Sequence, residues 1–332
     1  MTDLPPQMRA ITMGDENQSF GGAEVLTPAM RPLPQPGPGE VLVRVAAAGV
    51  NGPDLMQRRG LYPAPKGASD LLGLEMAGHV VALGEGVTRW AVGDALCGLT
   101  NGGAYAEYVA VDASHCLAIP EGVSLEDAAG LPETFFTVWS NVFHGHEVAP
   151  GGLFLVHGGG GGIGSTAIQL GRAKGLRVFT TDAAGARAFC EGLGAERVID
   201  YAAENFVAIT REAGGADIIL DIIGGETIAQ NIKAANHDCR IIQLAFNAGS
   251  KVEINLMPVM LKRLSYTGST LRTRSDQFKS AVARALEAEI WPLFAEGRLR
   301  PVTHTVLPLD AAEEAHRMME AAHHRGKILL RP

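Results

Sequence analysis

A run of glycines is the feature of this sequence that most clearly indicates chemistry. The segment 157–165, His-Gly-Gly-Gly-Gly-Gly-Ile-Gly-Ser, contains the spacing Gly159-x-Gly161-x-x-Gly164 between an apolar segment and a helical one. Such glycines permit a tight turn and close approach of the backbone to a pyrophosphate, while the following helix supplies free N–H groups and a positive dipole end. The alternative is a flexible turn. We predict a dinucleotide-binding loop formed by Gly159, Gly161, Gly162, Ile163 and Gly164.

Three residues beyond this loop bear on the form of the dinucleotide. Asp182 ends the next apolar segment, where a carboxylate can bind ribose hydroxyls and repel a 2′-phosphate. Its alternative role is to cap the helix that begins near residue 184. Arg187 and Tyr201 are nearby groups that can instead hold a phosphate. These residues leave the choice between NAD and NADP open.

Alternating strand and helix patterns after residue 125 surround the loop. Apolar strands are predicted at 152–157, 176–181, 197–199, 216–222 and 240–245, with helical stretches between them. Such a series indicates a parallel sheet covered on both faces. We therefore predict an α/β fold with a doubly wound Rossmann domain at 126–265.

The two ends of the chain have a different pattern. Residues 8–120 contain short apolar runs separated by Pro and Gly, for example 41–45, 79–83 and 106–111, which indicates a β-rich domain over 1–125. The tail, 266–332, contains a helical stretch at 276–296 and strands at 302–307 and 327–330. We expect the tail to pack back on the first domain.

Composition limits the possible partners and compartments. The 332 residues carry a formal charge of −8, so the chain lacks the basic surface typical of nucleic-acid or anionic-membrane binding. The cysteines are few and scattered, which predicts reduced core thiols in a cytoplasmic protein. They are Cys97, Cys116, Cys190 and Cys239. Neither a transmembrane run nor a signal peptide is expected.

Several segments together resemble one family, the quinone oxidoreductase branch of the medium-chain dehydrogenase/reductases, which includes zeta-crystallin. They are 36–43, 51–63, 72–78, 131–133, 266–272 and 326–330. The resemblance implies a GroES-like catalytic domain, 1–125 completed by 266–332, a Rossmann domain at 126–265, and a cleft that holds NAD(P)H.

Departures from the zinc-containing members of this superfamily predict an enzyme without zinc. Zinc alcohol dehydrogenases have a Cys ligand where Asn51 stands, and Gly-His-Glu where this chain has Gly-Leu74-Glu75. They also carry a lobe with four cysteines, whereas the first domain here has two. Because Asn and Leu are poor zinc ligands, we expect neither zinc site. An H-x-H pair, His144 and His146, lacks a carboxylate or Cys partner at ligand spacing, so no metal is expected there.

The resemblance also bears on the cofactor. The family reads the 2′-phosphate of NADPH with a Lys and a Tyr; Tyr201 matches the Tyr, while the Lys position falls at Gly185 or Ala186, beside Arg187. The clamp is therefore incomplete, and we predict NADPH, with NADH as the alternative.

Other residues are matched to the cofactor cleft. Thr137 matches a family residue near the nicotinamide, although an ordinary helix threonine is the alternative. Phe246 and Leu271 are predicted to line the cleft, with core packing as the alternative.

Two residues match positions that line the family's substrate site. Asn51 offers two N–H donors, and Tyr62 is a neutral donor at pH 7. Without zinc, we expect an acceptor whose developing charge is delocalised, such as a quinone or an enone, for which hydrogen-bond donors suffice. The alternatives are a turn residue for Asn51 and a packed aromatic ring for Tyr62.

The predicted function is that of an NAD(P)H-dependent quinone oxidoreductase. An enone or 2-alkenal double-bond reductase on the same scaffold is one alternative, and a non-catalytic, crystallin-like dinucleotide-binding protein is another. The family forms oligomers through its Rossmann sheet. We predict a homodimer that pairs through an edge strand at Val252–Leu256.

Overall fold

The computed structural model describes residues 4–14 and 20–332. Its strands, β1 to β15 in chain order, are Gln7–Met13, Leu26–Pro32, Glu40–Gly49, Glu75–Leu83, Ala95–Leu99, Tyr108–Asp112, Cys116–Ala118, Leu153–His157, Arg177–Asp182, Arg197–Asp200, Ala216–Asp221, Ala235–Gln243, Ser265–Gly268, Thr303–Pro308 and Lys327–Arg331. The α-helices, α1 to α11, are Gly52–Arg58, Leu125–Ala128, Pro132–Val138, Gly162–Ala173, Arg187–Leu193, Phe206–Glu212, Glu226–Ala234, Met257–Lys262, Asp276–Glu289, Pro292–Ala295 and Ala312–Glu320.

Two compact units make up the described structure. One contains Met1–Phe136 and Arg272–Pro332, and the other contains Thr137–Leu271. We call them the split unit and the central unit. The sequence places the domain boundaries at 125/126 and 265/266. These boundaries remain predictions, because compact units need not coincide with domains that fold independently.

The central unit is a six-stranded parallel sheet with the order β10-β9-β8-β11-β12-β13. The inner strand β8 is buried at every position. This is the environment of a parallel sheet with both faces covered, and it explains the continuous apolar strands of the sequence. The predicted Rossmann fold is confirmed.

The split unit contains a seven-stranded sheet built from both ends of the chain. Strands β3, β4, β5 and β7 pair antiparallel, and β6 pairs with β3. Strand β15 pairs with the other end of β3, and β14 pairs parallel with β15. Strand β15 of the tail thus lies beside β3 of the first part of the chain. The predicted GroES-like β-rich architecture is confirmed. Its core includes Val41, Val43, Met76, Ile328 and Leu330.

Two local predictions differ from the structure. Residues 252–256 form no strand, because the edge of the parallel sheet is taken by β13, which pairs with β12. The helical stretch 276–296 is divided into α9 and α10, and α10 begins at Pro292, where a missing N–H costs nothing in a first turn. Among the described residues, no helix is both long and apolar enough to cross a bilayer.

Candidate functional site

The glycine loop joins β8 to α4 in the central unit, and the structure explains its composition. Gly158 has a φ of +78°, which favours glycine. A Cβ on Gly164 would lie 2.0 Å from the backbone oxygen of Gly158, so α4 packs directly on the turn. Gly161 precedes the helix with φ −79° and ψ −179°, and its nearest obstacle to a Cβ is 3.9 Å away. The loop therefore presents an open backbone surface before Gly162 and Ile163, the first residues of α4.

Asp182 ends β9 beside this loop, as predicted. One carboxylate oxygen accepts a hydrogen bond from the N–H of Gly160 at 2.7 Å, and the other accepts from the N–H of Ala183 at 2.7 Å. The short helical turn that starts at Ala184 receives no side-chain cap, so the alternative role as a helix cap is wrong. Asp182 fixes the loop; its contact with a ribose stays a prediction.

The two predicted phosphate readers follow neighbouring elements. The backbone N–H of Tyr201 donates to the backbone oxygen of Asp182 at 3.2 Å, and the Tyr201 side chain is exposed. Arg187 begins α5 and donates to Glu204 Oε2 at 3.3 Å. Since β9 and β10 are adjacent parallel strands, the structure brings Tyr201 close to the loop. Because the guanidinium of Arg187 already binds Glu204, it would have to bind a phosphate and Glu204 at the same time.

The other predicted cofactor residues differ in burial. Phe246 follows β12 and is 47% exposed, whereas Leu271 follows β13 and is buried. Thr137 is buried in α3, where its backbone oxygen accepts a hydrogen bond from Asn141 Nδ2 at 2.8 Å. Phe246 and Leu271 follow carboxyl ends of the parallel sheet, the edge that also carries the glycine loop.

Asp221, at the end of β11, organises the same edge and was missed by the sequence analysis. Its carboxylate accepts hydrogen bonds from Thr227 Oγ1 at 3.0 Å and from Asn231 Nδ2 at 2.8 Å. Asn231 Oδ1 in turn lies 2.7 Å from His157 Nε2, and the other ring nitrogen lies 2.8 Å from Thr181 Oγ1. Burial lowers the pKa of His157, so its ring is neutral at pH 7. The sequence signal that could have indicated Asp221 is its place at the end of an apolar strand, which matches the place of Asp182.

The predicted catalytic residue Asn51 lies in a buried polar cluster of the split unit. Asn51 Nδ2 donates to Glu75 Oε1 at 2.8 Å and lies 3.4 Å from the backbone oxygen of Gly49. Lys327 Nζ donates to Asn51 Oδ1 at 2.5 Å and lies 2.7 Å from Glu75 Oε1. The Asn51 amide is therefore occupied by protein partners. This arrangement differs from the predicted pair of N–H donors for substrate.

Asp54 fixes the start of α1 beside this cluster. Its carboxylate accepts from the backbone N–H groups of Asn51 at 2.8 Å and Gly73 at 3.0 Å. Burial raises the pKa of Asp54 to about 6. Burial and the nearby charge of Asp54 raise the pKa of Tyr105, whose hydroxyl lies 3.1 Å from His316 Nε2. Asn51 is thus held in place from its backbone as well as from its side chain.

Glu133, at the start of α3, adds a second titratable group near Tyr62. Its side chain is buried, and burial together with the charge of Glu75 raises the pKa of Glu133 to about 8. Burial and the charge of Glu133 likewise raise the pKa of Tyr62. The ring of Tyr62 lies 5.6 Å from the guanidinium carbon of Arg272, which donates through Nη1 to Gln57 Oε1 at 2.7 Å. At pH 7 both Glu133 and Tyr62 are neutral and hold a proton.

Sequence reasoning missed Glu133 and Lys327. Glu133 follows Pro132 in the first turn of a helix, where an acidic side chain is ordinarily explained by the helix dipole. Lys327 begins a strand, and its partner Asn51 lies 276 positions earlier in the chain. The resemblance of segments 131–133 and 326–330 to one family was the signal that could have indicated both.

The donor set of this cluster does not suit zinc. Asn51 and Leu74 occupy positions where zinc alcohol dehydrogenases have a Cys and a His, and Leu74 has no ligand atom. The ammonium of Lys327 hydrogen-bonds Asn51 and forms an ion pair with Glu75, so a cationic side chain already stands among the polar atoms. A second cation there would be repelled.

The raised pKa of Glu133 predicts a pH-dependent loss of stability. Because the folded-state pKa of about 8 exceeds the ordinary 4.5, the stabilising contribution is complete below pH 4.5 and is lost as pH rises through 8. Between pH 5 and 9, we expect the free energy of unfolding of the wild type to fall by about 2–3 kcal/mol more than that of Glu133→Gln, since the full shift sets an upper bound of about 5 kcal/mol. Urea unfolding at each pH measures this difference. Glu121→Gln, at an exposed carboxylate, is the control and should follow the wild type. Parallel curves for the wild type and Glu133→Gln would contradict the assignment.

Comparisons with known proteins agree with the fold. The alcohol dehydrogenase GroES-like domain matches residues 37–121, and the zinc-binding dehydrogenase domain matches residues 193–330. A solved NAD-dependent alcohol dehydrogenase is 31% identical, with alignment over 98% of this chain and 100% of that one and a TM-score of 0.83. Quinone oxidoreductase from Escherichia coli, complexed with NADPH, is 26% identical over 98% of this chain and 100% of that one, with a TM-score of 0.85.

A third relative is much larger than this chain. The mycocerosic acid synthase-like polyketide synthase of Mycobacterium tuberculosis is 31% identical over 98% of this chain, which corresponds to only 16% of that synthase. The two domain matches and the full-length likeness to a 31% identical dehydrogenase agree on one family. The chain belongs to the medium-chain dehydrogenase/reductase superfamily of oxidoreductases.

Proposed function

We propose that this protein is an NADPH-dependent quinone oxidoreductase that transfers hydride without a metal. The observation that carries the proposal is the ion pair of Lys327 with Glu75, in which Lys327 also hydrogen-bonds Asn51. A lysine ammonium cannot act as a Lewis acid on an alkoxide. A quinone needs no Lewis acid, because its charge spreads over a phenolate that hydrogen-bond donors can stabilise.

The central unit would hold the cofactor. The open backbone at Gly161 and the N-terminus of α4, which is 12 residues long, suit a pyrophosphate. Tyr201 and Arg187 are proposed to contact the 2′-phosphate, with NADH as the alternative cofactor because Arg187 also binds Glu204. Thr137, Phe246 and Leu271 are proposed to contact the rest of the dinucleotide. The NADPH bound to the quinone oxidoreductase of E. coli supports this choice. When bound, the reduced nicotinamide supplies the hydride.

The split unit would serve the acceptor. A hydride delivers two electrons and one proton to the quinone and so produces a hydroquinone monoanion. This anion then takes up one further proton to become the hydroquinone. We propose that the Tyr62 hydroxyl donates a hydrogen bond to the oxygen on which this charge develops. Glu133, which is neutral at pH 7, adds no negative charge beside Tyr62 and so does not oppose the developing anion. Asn51 is proposed to position Lys327, with which it shares a hydrogen bond.

A substrate panel tests the proposed function directly. We expect EDTA-treated protein to oxidise NADPH when a quinone is supplied, at a higher kcat/KM than with 2-alkenals or enones, and to be inactive with alcohols and NADP⁺. The same panel with NADH should give a ratio of kcat/KM values below about a thousandfold, or 4 kcal/mol, because the phosphate clamp is incomplete. Activity that is lost on chelation while the protein stays folded by circular dichroism, and that is restored by zinc, would refute the proposal. Faster reduction of enones than of quinones would favour the double-bond reductase.

Tyr62→Phe tests the proposed hydrogen-bond donor. The ring and its packing against Arg272 remain, so only the hydroxyl is lost. A preorganised donor can contribute about 3 kcal/mol, roughly a hundredfold in rate, but a quinone delocalises its charge, so we expect a fall of about five- to fiftyfold, mostly in kcat. The Kd of NADPH should not change. Tyr108→Phe, which removes a hydroxyl from β6 in the same unit, is the control. If Tyr62→Phe had the same kcat/KM for quinone as the wild type, Tyr62 would serve only in packing and not as a hydrogen-bond donor.

We further propose a homodimer, now through β13 instead of residues 252–256. Strand β13 is the last strand of the parallel sheet, and all four of its residues are exposed. Exposed apolar side chains of the neighbouring segment extend this edge: Leu256, Met257, Met260 and Leu261. Light scattering should give twice the chain mass of 34.9 kDa, and Met260→Lys should shift the protein towards monomer, as an exposed strand edge with apolar neighbours favours pairing. A wild-type mass of 34.9 kDa at micromolar concentration would refute the dimer.

A further inference from the structure

A second polar cluster in the split unit consists of three residues to which no role has been assigned so far. Asp112 ends β6, His115 ends the short helical turn Ala113–His115, and Asp276 begins α9. One ligand atom from each residue lies within 4.8 Å of the others. His115 Nε2 and Asp276 Oδ1 are 3.5 Å apart. Two carboxylates and an imidazole therefore converge from distant parts of the chain.

His115 is the unusual member of the cluster. Its side chain is only 3% exposed, and within the described structure its buried Nε2 has no hydrogen-bond partner. An orphaned buried polar atom costs free energy and calls for an explanation. The unpaired nitrogen is directed at the carboxylate of Asp276.

Hydrogen bonds orient one of the two carboxylates as they cap the short helical turn. Asp112 Oδ1 accepts hydrogen bonds from the backbone N–H of Ser114 at 2.8 Å and from its hydroxyl at 2.6 Å, which orients the carboxylate and leaves the second oxygen available. The nearby Lys279 directs its ammonium to Asn101 Oδ1 at 2.9 Å and to the backbone oxygen of Arg272 at 3.1 Å. Its charge will weaken cation binding without blocking the ligands.

We propose that Asp112, His115 and Asp276 form a site for a divalent cation, with Zn²⁺ as the ion that suits this donor set. A tetrahedral zinc with bonds of about 2.0–2.1 Å holds its ligand atoms roughly 3.3 Å apart, close to the separation of His115 from Asp276. The site is distinct from the positions of Asn51 and Leu74 and does not rest on the proposed function. A bound ion would tie the end of β6 to the start of α9 and so stabilise the split unit.

Calorimetric titration of EDTA-stripped, full-length protein with zinc sulfate tests the site. We expect one Zn²⁺ per chain with a micromolar Kd, and a rise in Tm when zinc is added. His115→Gln should weaken binding at least tenfold and abolish the rise in Tm. Because His115 is buried, Asp276→Asn provides a second variant at a side chain that is 70% exposed, where folding is not at risk. It should weaken binding by a similar factor.

Two controls make the result specific to this cluster. His237→Gln removes an exposed imidazole from the central unit and should bind zinc as the wild type does. The double variant His144→Gln/His146→Gln removes the H-x-H pair and should also leave binding unchanged. Absence of binding in the wild type, or binding that survives both His115→Gln and Asp276→Asn, would overturn the proposal. Loss of binding in the H-x-H variant would equally overturn it. Since the readouts are affinity and Tm, the outcome is independent of quinone reduction.

Discussion

Lys327→Met is expected to lower the free energy of unfolding by about 3–5 kcal/mol, the cost of leaving one partner of a buried ion pair unpaired. The side chains of Lys327 and Glu75 are 7% and 0% exposed, and Nζ also donates to the backbone oxygen of Val50 at 3.1 Å. Removal of the ammonium leaves the carboxylate of Glu75 with two neutral donors from the part of the chain that the structure describes, Asn51 Nδ2 and the backbone N–H of Glu133. Guanidinium unfolding at pH 7 measures the loss.

A double-mutant cycle distinguishes the ion pair from general damage to packing. Lys327→Met/Glu75→Gln removes both charges. Its loss in free energy of unfolding should therefore be smaller than the sum of the losses in the two single variants, by at least about 1 kcal/mol. Lys66→Met, at an exposed lysine of the same unit, is the control and should change stability by less than about 0.5 kcal/mol. Additive losses in the cycle would show that the two charges are not coupled.

Alanine at Gly161 and at Gly164 is expected to separate cofactor binding from folding. At Gly161 the new methyl group meets no atom closer than 3.9 Å, so Gly161→Ala should keep the wild-type Tm. The methyl group would occupy the surface that we assign to the pyrophosphate, and we expect a loss of NADPH affinity of about 10- to 100-fold, which corresponds to 1.4–2.8 kcal/mol. At Gly164 the methyl group would clash with the backbone of Gly158 and Gly159. Gly164→Ala should therefore lose both stability and NADPH binding.

The control for this pair is Gly192→Ala in α5. A Cβ there meets nothing within 4 Å, and alanine in a helix is favoured over glycine by about 1 kcal/mol. Its NADPH affinity should equal that of the wild type. Fluorescence titration with NADPH and thermal unfolding supply the two readouts. Wild-type affinity in Gly161→Ala would contradict the assignment of the pyrophosphate to this loop.

Local patterns in the sequence account for most of the fold. The apolar segments around the glycine loop became β8 and α4, and Asp182 stands at the end of β9, because strand periodicity and turn chemistry act over a few residues. The edge strand predicted at 252–256 was wrong for the complementary reason. An exposed edge position depends on which segment reaches the sheet, and β13 pairs with β12 in its place. An alternating pattern alone does not determine which of two segments pairs with the edge of the sheet.

By itself, the sequence determined the two architectures, the glycine loop and the absence of zinc ligands at Asn51 and Leu74. These depend on backbone conformation, on periodicity and on which atoms a side chain carries, all of which are properties of a residue and its near neighbours. Only the tertiary structure decided that Lys327 pairs with Glu75 and that Glu133 is buried beside charges. Such contacts join residues that are distant in the chain, and the pKa of a buried carboxyl depends on the desolvation and the charges that folding brings together.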